Sequence, residues 1–282
     1  MIVMRIGGFI SSVVVATLVG FSSPAVAAVE APHVGAKSAY VIDSAGTVHY
    51  GKRHTKRMPV ASLVKVMTAY VVLSEAQLSD VIRVDAIDVR YAARGGAATA
   101  GLRAGERFTV RDLLYALMLP SGADAANVLA RHYGPGKTAF VAKMNRAARA
   151  LGLSDTRYTN ADGMPTPANG GHSTAADQVR LAQHAMRSSV FRTIVGKPVH
   201  RVAKTAVHRA HVWHNTNKLL DRADDVLGVK TGFTRAAGYC LLFAGERNGR
   251  EVVGVLLGDQ NERRFTTAER LLDYADDQIA FG

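Results

Sequence analysis

The sequence predicts an α+β fold in which one antiparallel sheet is built from both ends of the chain, with flanking helices and an all-helical subdomain. Three observations predict this fold. Strand patterns lie towards both ends, helical spacing dominates the middle, and neither a repeat nor a low-complexity linker divides the chain. With 282 residues, of which 48% are hydrophobic and 21% charged, the chain can bury a large core.

The first predicted elements are a hairpin and a long helix. Residues 39–42 and 48–50 are apolar segments on either side of a turn, which is typical of two paired strands. Pro59 then opens a helix to about Leu78, because apolar residues recur there at helical spacing. Residues 92–106 are rich in Gly and Ala and are expected to form a loop.

Helices are predicted through the middle of the chain and at its end. Thr109 caps one of them, with Asp112 three positions later. Residues 120–122 interrupt that helix. The further predicted helices cover residues 123–132, 137–151, 174–188 (opened by Ser173) and about 266–279.

The last third is predicted to supply the rest of the sheet. Residues 199–207 are compatible with a hairpin, and Asn248-Gly249 is typical of a tight turn between strands. Cys240 is the only cysteine, which excludes an intramolecular disulfide, and its apolar neighbours indicate a buried strand rather than a catalytic thiol. The predicted strands are residues 226–229, 240–244 and 252–257.

The N-terminus has the three parts of a secretory signal peptide. Arg5 is the only charged residue before Glu30, an apolar stretch follows it, and residues 25–27 read A-x-A. We therefore expect residues 1–27 to be a signal peptide that is cleaved after Ala27. An uncleaved membrane anchor is the competing interpretation, although glycines and serines dilute the apolar stretch.

The net charge of +12 favours an anionic environment, such as nucleic acid, acidic lipid or an acidic wall polymer. The basic residues are scattered and are not interleaved with aromatic residues, so no nucleic acid is expected as a partner.

Three histidines, His208, His211 and His214, could suggest a zinc site. Spacing by three puts ligands on one face only in a helix, however, and this region is typical of a strand leading into a loop, so no metal site is expected.

The first chemical motif is Ser62-Leu63-Val64-Lys65 near a helix start. A serine hydroxyl is a poor nucleophile until a base takes its proton. One helical turn places Lys65 on the same face as Ser62, and burial of that face would lower the pKa of the lysine and free its amine. The pattern alone is common by chance.

Two later motifs can be interpreted chemically or structurally. Ser121-Gly122-Ala123 lies in the break between two helices, where Ser121 either relays a proton or caps the next helix. The third motif, Lys230-Thr231-Gly232-Phe233, directly follows a predicted strand, and its lysine and threonine can bind a carboxylate. The alternative for this third motif is an ordinary strand end.

The order of the three motifs resembles that of the penicillin-binding proteins and β-lactamases. Longer segments resemble the D-alanyl-D-alanine carboxypeptidases in particular, and the resemblance covers about residues 35–280. The segments that carry it are residues 59–68, 160–164, 171–175, 215–220 and 228–234.

This resemblance implies a DD-peptidase fold and roles for the motif residues. Ser62 would be the nucleophile, Lys65 its base, and the Ser62 and Phe233 amides the oxyanion hole. Ser121 would protonate the departing D-alanine. The residues that would bind the substrate and its carboxylate are Lys230, Thr231, Gly232, Thr234 and, as a helper, Arg209.

The implied partners are peptidoglycan stem peptides that end in D-Ala-D-Ala, and β-lactams that mimic them. The resemblance requires no metal or organic cofactor. Many relatives continue into a β-rich second domain and an amphipathic C-terminal anchor. Here we expect one catalytic domain over residues 28–282 without either, acting as a monomer in the cell wall or the periplasmic space.

The chain departs from the family pattern at Ala123, where an asparagine usually contacts the substrate amide and the motif lysine. Because of this departure, one alternative to an enzyme is a protein that binds penicillin, turns over poorly and serves as a scaffold in the cell wall. An amine instead of water as acceptor would give a transpeptidase. A class A β-lactamase would need a glutamate that the segment around residues 160–163 does not resemble.

Overall fold

The structure is a computed structural model that describes residues 1–2, 30–94, 96–223 and 225–281. The predicted signal peptide over residues 1–27, with its cleavage after Ala27, lies outside the described residues except for the first two. The strands are β1 Ser38–Asp43, β2 Val48–Lys52, β3 Val81–Arg83, β4 Arg107–Thr109, β5 Arg157–Tyr158, β6 Gly171–His172, β7 Val199–Val202, β8 His211–His214, β9 Val226–Thr234, β10 Gly238–Arg247 and β11 Arg250–Asp259. The α-helices are α1 Val64–Glu75, α2 Ala86–Arg94, α3 Val110–Met118, α4 Ala123–Tyr133, α5 Lys137–Ala150, α6 Ala175–Met186, α7 Ser189–Val195 and α8 Arg263–Phe281.

The main sheet joins the two ends of the chain, as predicted. Its order is β2-β1-β11-β10-β9, and every neighbouring pair is antiparallel. The link is the pairing of β1 with β11, in which Val41 lies opposite Gly254. The predicted hairpin of β1 and β2 is confirmed, and so is the α+β class.

Both faces of the sheet are covered, because alternate side chains of a strand point to opposite faces. In β11, Val252 and Leu256 contribute to the core under α8, which packs against β10 and β11. Val253 and Val255 contribute to the larger core on the other face, where α6 packs against β1 and β11.

The helical subdomain is organised around α1. This helix contacts α3, α4, α5 and α6 and is buried along most of its length. A short 3-10 turn, Ala61–Leu63, precedes α1 and packs against β9. The start of α1 therefore lies where the helical subdomain meets the edge of the sheet, and this junction positions the candidate site.

Several predicted boundaries are wrong. The helix expected from Pro59 to Leu78 begins with the 3-10 turn and ends at Glu75. The loop expected over residues 92–106 overlaps the end of α2. The start of α2 is fixed by Asp85, whose carboxylate accepts from the Ile87 N–H at 3.1 Å.

Two further predictions need correction. The hairpin expected within residues 199–207 is longer, because β7 pairs with β8 across an intervening loop. Thr174, not Ser173, caps α6, and its side chain accepts from the Asp177 N–H at 3.1 Å. Within the part of the chain that the structure describes, no helix combines the length and the apolar composition that a membrane crossing requires.

Candidate active site

The first motif is assembled as its spacing predicts. Ser62 lies in the 3-10 turn, and Lys65 lies in the first turn of α1. The Lys65 Nζ donates to Ser62 Oγ at 3.0 Å and to the Asp162 carbonyl at 2.6 Å. Only 1% of Lys65 is exposed. The amine is thus held against the hydroxyl, away from bulk water.

Burial lowers the pKa of Lys65 to about 8. The Asp162 and Asp124 carboxylates act in the opposite direction, because their negative charge favours the ammonium form. At neutral pH about a tenth of the lysine would then be the free amine. A neutral amine within hydrogen-bond distance of Ser62 can accept its proton.

The carbonyl that holds Lys65 is itself fixed by the Asp162 side chain. One carboxylate oxygen accepts from the Asn127 Nδ2 at 3.1 Å, and the other accepts from the Met164 N–H at 3.0 Å. Asn127 lies on α4, so the helical subdomain determines where the Asp162 loop meets the motif lysine. Neither Asn127 nor Asp162 was assigned a role from the sequence.

Two glycines lie directly against the nucleophile turn. Gly163 has φ +77°, and a Cβ there would overlap the Ala61 carbonyl. A Cβ on Gly232 of β9 would lie 3.2 Å from the Ser62 nitrogen. Both segments therefore approach the Ser62 backbone more closely than other residues would allow. Phe233, which follows Gly232, lines the same cleft as Ser62.

The second motif forms a tight turn between α3 and α4. Ser121 has φ 63°, an uncommon value for a residue with a side chain. Its Oγ is buried and has no hydrogen-bond partner among the described residues. Gly122, not Ser121, is the N-cap of α4 and makes no side-chain cap. The capping alternative for Ser121 is therefore wrong, and the hydroxyl borders the cleft.

The third motif forms the opposite wall. Lys230 is 1% exposed, and its Nζ donates to the Thr231 carbonyl at 3.0 Å. Burial lowers the pKa of Lys230 well below its usual value, and the charges of Lys65 and Arg264 lower it further. The Thr231 hydroxyl bonds that of Thr216 at 2.7 Å. The Thr231 and Thr234 side chains border the cleft.

Arg264 of α8 lines the same cleft, and the sequence analysis missed it. Its guanidinium carbon lies 5.0 Å from the centroid of the Tyr239 ring, and its Nε and Nη1 are buried without a partner among the described residues. Lys230 is not itself a lining residue, but its Nζ lies directly behind the cleft residue Thr231. We call Arg264 and the buried Lys230 the basic end of the cleft. Little in the sequence separates Arg264 from the other arginines, because packing of α8 against the sheet places it there.

The cleft has a volume of about 740 Å³ and contains residues of all three motifs. Arg209 is not among its lining residues. The Arg209 Nη2 instead donates to the Gly101 carbonyl at 2.6 Å, and its Nε lies 3.8 Å from Glu106. The structure therefore does not bring Arg209 together with the other predicted site residues.

The three histidines considered as metal ligands do not converge. The His208 ring stacks on Phe108, and His211 Nε2 lies 3.1 Å from Glu106. His214 is exposed on the other face of β8. Among the described residues, no group of three or more His, Cys, Asp or Glu side chains is arranged to hold a metal ion.

Comparison with known proteins identifies the family. A family model described as D-alanyl-D-alanine carboxypeptidase matches residues 25–261. The D-alanyl-D-alanine carboxypeptidase of Streptomyces sp. strain K15 is 37% identical over 88% of this chain and 89% of that protein. The D-alanyl-D-alanine carboxypeptidase DacB2 of Mycobacterium tuberculosis is 36% identical over 74% of this chain and 69% of that protein.

Solved structures agree with this assignment. The crystal structure of the Streptomyces K15 DD-transpeptidase has a TM-score of 0.83 and 36% identity, and covers 87% of this chain and 98% of that one. A penicillin-binding protein homologue from Mycobacterium tuberculosis has a TM-score of 0.81 and 32% identity, over 89% of this chain and 94% of that one. The chain belongs to the D-alanyl-D-alanine carboxypeptidase family of serine peptidases.

Proposed function

We propose that this chain removes the terminal D-alanine from peptidoglycan stem peptides that end in D-Ala-D-Ala, through an acyl-enzyme on Ser62. Family membership supports the class of reaction. The observation that carries the residue assignment is the 3.0 Å contact between Lys65 Nζ and Ser62 Oγ, in a cleft that all three motifs line.

Acylation begins when the neutral amine of Lys65 takes the proton of Ser62. The Ser62 oxygen then forms a bond to the carbonyl carbon between the two D-alanines. Negative charge develops on the carbonyl oxygen, where the Ser62 and Phe233 N–H groups can stabilise it. The closeness of Gly232 to the Ser62 nitrogen supports this pairing of amides.

The tetrahedral intermediate collapses by breaking the bond to the leaving nitrogen, which must gain a proton. Ser121 is suited to pass on the proton that Lys65 has taken, because its hydroxyl borders the cleft without a partner in the described structure. Water then attacks the ester carbonyl while Lys65 accepts a proton from it. Lys65 returns this proton to Ser62 as the ester bond breaks, and the shortened peptide leaves with a new carboxyl group.

The substrate carboxylate binds at the basic end of the cleft. Arg264 lines this end and supplies positive charge, and Thr231 and Thr234 supply hydroxyls at its border. The substrate carboxylate would favour the charged form of Lys230, which is buried behind Thr231. We assign Arg264 the supporting role that the sequence favoured for Arg209, because Arg264 lines the cleft.

A transpeptidase is the second candidate, because the solved Streptomyces K15 structures are named DD-transpeptidase. The acylation steps are the same in both reactions. In a transpeptidase, an amine of a second stem peptide attacks the Ser62 ester instead of water, and a new peptide bond forms.

We further propose that the protein acts outside the cytoplasm as a monomer, after cleavage of residues 1–27, and that β-lactams acylate Ser62. The family match supports an extracytoplasmic role in the wall. N-terminal sequencing of the exported protein would test the cleavage, and an intact Met1 on a membrane-bound product would contradict it.

The central experiment incubates the purified protein with a D-Ala-D-Ala peptide, with and without an amine acceptor. We expect release of D-alanine, and an added amide product if the amine competes with water. Mass spectrometry should place labelled penicillin on Ser62, and Ser62→Ala should lose both the label and the release. Labelling without turnover would favour the poorly active scaffold, and a label that survives Ser62→Ala would refute the assignment.

A further inference from the structure

A short segment between α2 and β4 forms one wall of the cleft. We call residues 96–102 the wall segment, of which Gly96, Ala97 and Ala98 line the cleft. The segment contains neither helix nor strand, yet Ala100 and Leu102 are buried, at 7% and 3% exposure. Buried backbone groups need hydrogen-bond partners, and here other parts of the chain must supply them.

Asp124, in the first turn of α4, supplies the partners for two of these backbone groups. One carboxylate oxygen accepts from the Ala100 N–H at 2.9 Å, and the other accepts from the Leu102 N–H at 3.0 Å. The first oxygen also accepts from the Ala125 N–H at 2.9 Å, and Asp124 is 1% exposed. A carboxylate can accept on both oxygens, whereas an amide in its place would turn one of them into a donor.

The second motif fits closely around this contact. A Cβ on Gly122 would lie 2.8 Å from the Asp124 Oδ1 and 2.9 Å from the Ala100 Cβ, so a side chain there would push the wall segment away. The Ala123 N–H donates to the Ala98 carbonyl at 2.9 Å. The start of α4 is therefore built to hold the wall segment.

Two other side chains hold the wall segment by its carbonyl groups. The Trp213 Nε1 donates to the Ala100 carbonyl at 2.8 Å, and the Arg209 Nη2 donates to the Gly101 carbonyl at 2.6 Å. Trp213 makes its contact without a charge. It therefore provides a comparison in which the segment is held but no charged group is involved.

Asp124 differs from Trp213 because it also acts on the base. Among the described residues, the charged groups that interact with Lys65 are Asp162, in the loop that holds its amine, Asp124 on α4 and Lys230 on β9. The two carboxylates favour the ammonium form of Lys65 and so oppose the effect of burial on its pKa. Loss of the Asp124 charge should therefore increase the fraction of Lys65 that is a free amine at neutral pH.

We propose that Asp124 is a positioning residue for acylation, which holds the wall segment at the cleft and supplies a fixed negative charge to the surroundings of Lys65. This inference rests on the proposed function, because it takes Lys65 as the base for Ser62. The two effects can be separated, because loss of the hydrogen bonds slows acylation at every pH, whereas loss of the charge changes how acylation depends on pH.

The test compares the rates of acylation by labelled penicillin at pH 7 and at pH 9. The wild-type protein should react about tenfold faster at pH 9, as suits a base with a pKa of about 8. Asp124→Asn should reduce this ratio to below about fivefold, because more of Lys65 is already neutral at pH 7. Trp213→Phe loses the bond to Ala100 but no charge, so its rates should fall by a similar factor at both pH values and leave the ratio near tenfold.

Asp277→Asn is the control, because it removes a carboxylate from an exposed position of α8, and it should match wild type. If Asp124→Asn keeps the wild-type ratio, its charge does not act on the base and the inference is wrong. If Trp213→Phe lowers the ratio as much, the ratio follows the geometry of the wall segment, which also refutes it. Should Asp124→Asn not fold, Asp124→Ser, which is smaller and still accepts a hydrogen bond, gives the same comparison. A wild-type protein that is not acylated at either pH would instead refute the proposed function.

Discussion

Lys65 at the start of α1 and Lys230 in β9 are equally buried, at 1% exposure each, but their neighbours carry opposite charge. Asp162 and Asp124 act on Lys65, whereas Lys65 itself and Arg264 act on Lys230. Burial lowers the pKa of both lysines. The charges of the neighbouring groups then raise the pKa of Lys65 and lower the pKa of Lys230. The pKa of Lys65 stays at about 8, whereas the pKa of Lys230 is lowered well below its usual value by burial and by the neighbouring cations.

Because their neighbours differ, two similar amines can take different roles at one site. Lys65 contacts the Ser62 hydroxyl and can exchange a proton near neutral pH. Lys230 is instead buried beside two cations, Lys65 and Arg264, whose charges lower its pKa and disfavour its ammonium form. A substrate carboxylate would supply the missing negative charge, raise the pKa of Lys230 and favour its charged form.

Apart from the loss of Ser62 itself, Lys65→Arg should reduce the acylation rate more than any other substitution considered for this site. Arginine keeps the positive charge but has no accessible neutral form, so it cannot take the Ser62 proton. We expect acylation by labelled penicillin and by a D-Ala-D-Ala peptide to fall by about 100-fold or more, the low end for a positioned base. Lys56→Arg, the same change at an exposed site, is the control. A Lys65→Arg rate within threefold of wild type would show that another group takes the proton.

Lys230→Gln should act through the substrate carboxylate. We expect kcat/KM on a D-Ala-D-Ala peptide to fall by about 10- to 100-fold, the range for a hydrogen bond to a charged group. On the same peptide with an amidated C-terminus, wild type should already be slow and the substitution should have little further effect. Equal losses on both peptides would show that Lys230 acts on the chemistry of Ser62 rather than on the carboxylate.

The pH dependence of acylation tests whether the pKa of Lys65 lies near 8. The base must be the free amine, so acylation should rise as the pH rises through the Lys65 pKa of about 8. Between pH 7 and pH 9 the neutral fraction grows about tenfold, and the acylation rate should follow it. Stopped-flow measurement with a labelled penicillin would check this. A flat profile over that range would contradict titration of Lys65 in the free protein.

The features that depend on local sequence spacing could be predicted from the sequence. Ser62 and Lys65 are one helical turn apart, so their contact follows from the helix itself. The sheet built from both ends followed from strand patterns on either side of a helical middle. The capping pair Asp85 and Asp88 could also have indicated α2, because an acidic residue three positions after an N-cap is a start signal.

The sequence did not predict which distant cation completes the site. Arg264 reaches the cleft because α8 packs on the sheet beside β10, and nothing in its local pattern distinguishes it from Arg209. Such contacts depend on tertiary packing rather than on local spacing.

A smaller change in acylation rate is expected at Ala123, the position where the chain departs from its family pattern. Its N–H donates to the Ala98 carbonyl at 2.9 Å, and its carbonyl accepts from Asn127 Nδ2 at 2.6 Å. An asparagine side chain could add one hydrogen bond next to the second motif, worth about 0.5–1.5 kcal/mol. We therefore expect Ala123→Asn to raise the acylation rate on a D-Ala-D-Ala peptide by about 2- to 10-fold.

The opposing effect is steric, because Ala123 is fully buried and a larger side chain must displace its neighbours. Overpacking costs about 1–3 kcal/mol and would lower the melting temperature. Ala123→Leu, which adds similar bulk without a polar group, isolates this cost. A gain in acylation with asparagine but not with leucine would identify the missing hydrogen bond. If acylation falls in Ala123→Asn while the melting temperature holds, alanine is itself suited to this site, and the departure is not a lost contact.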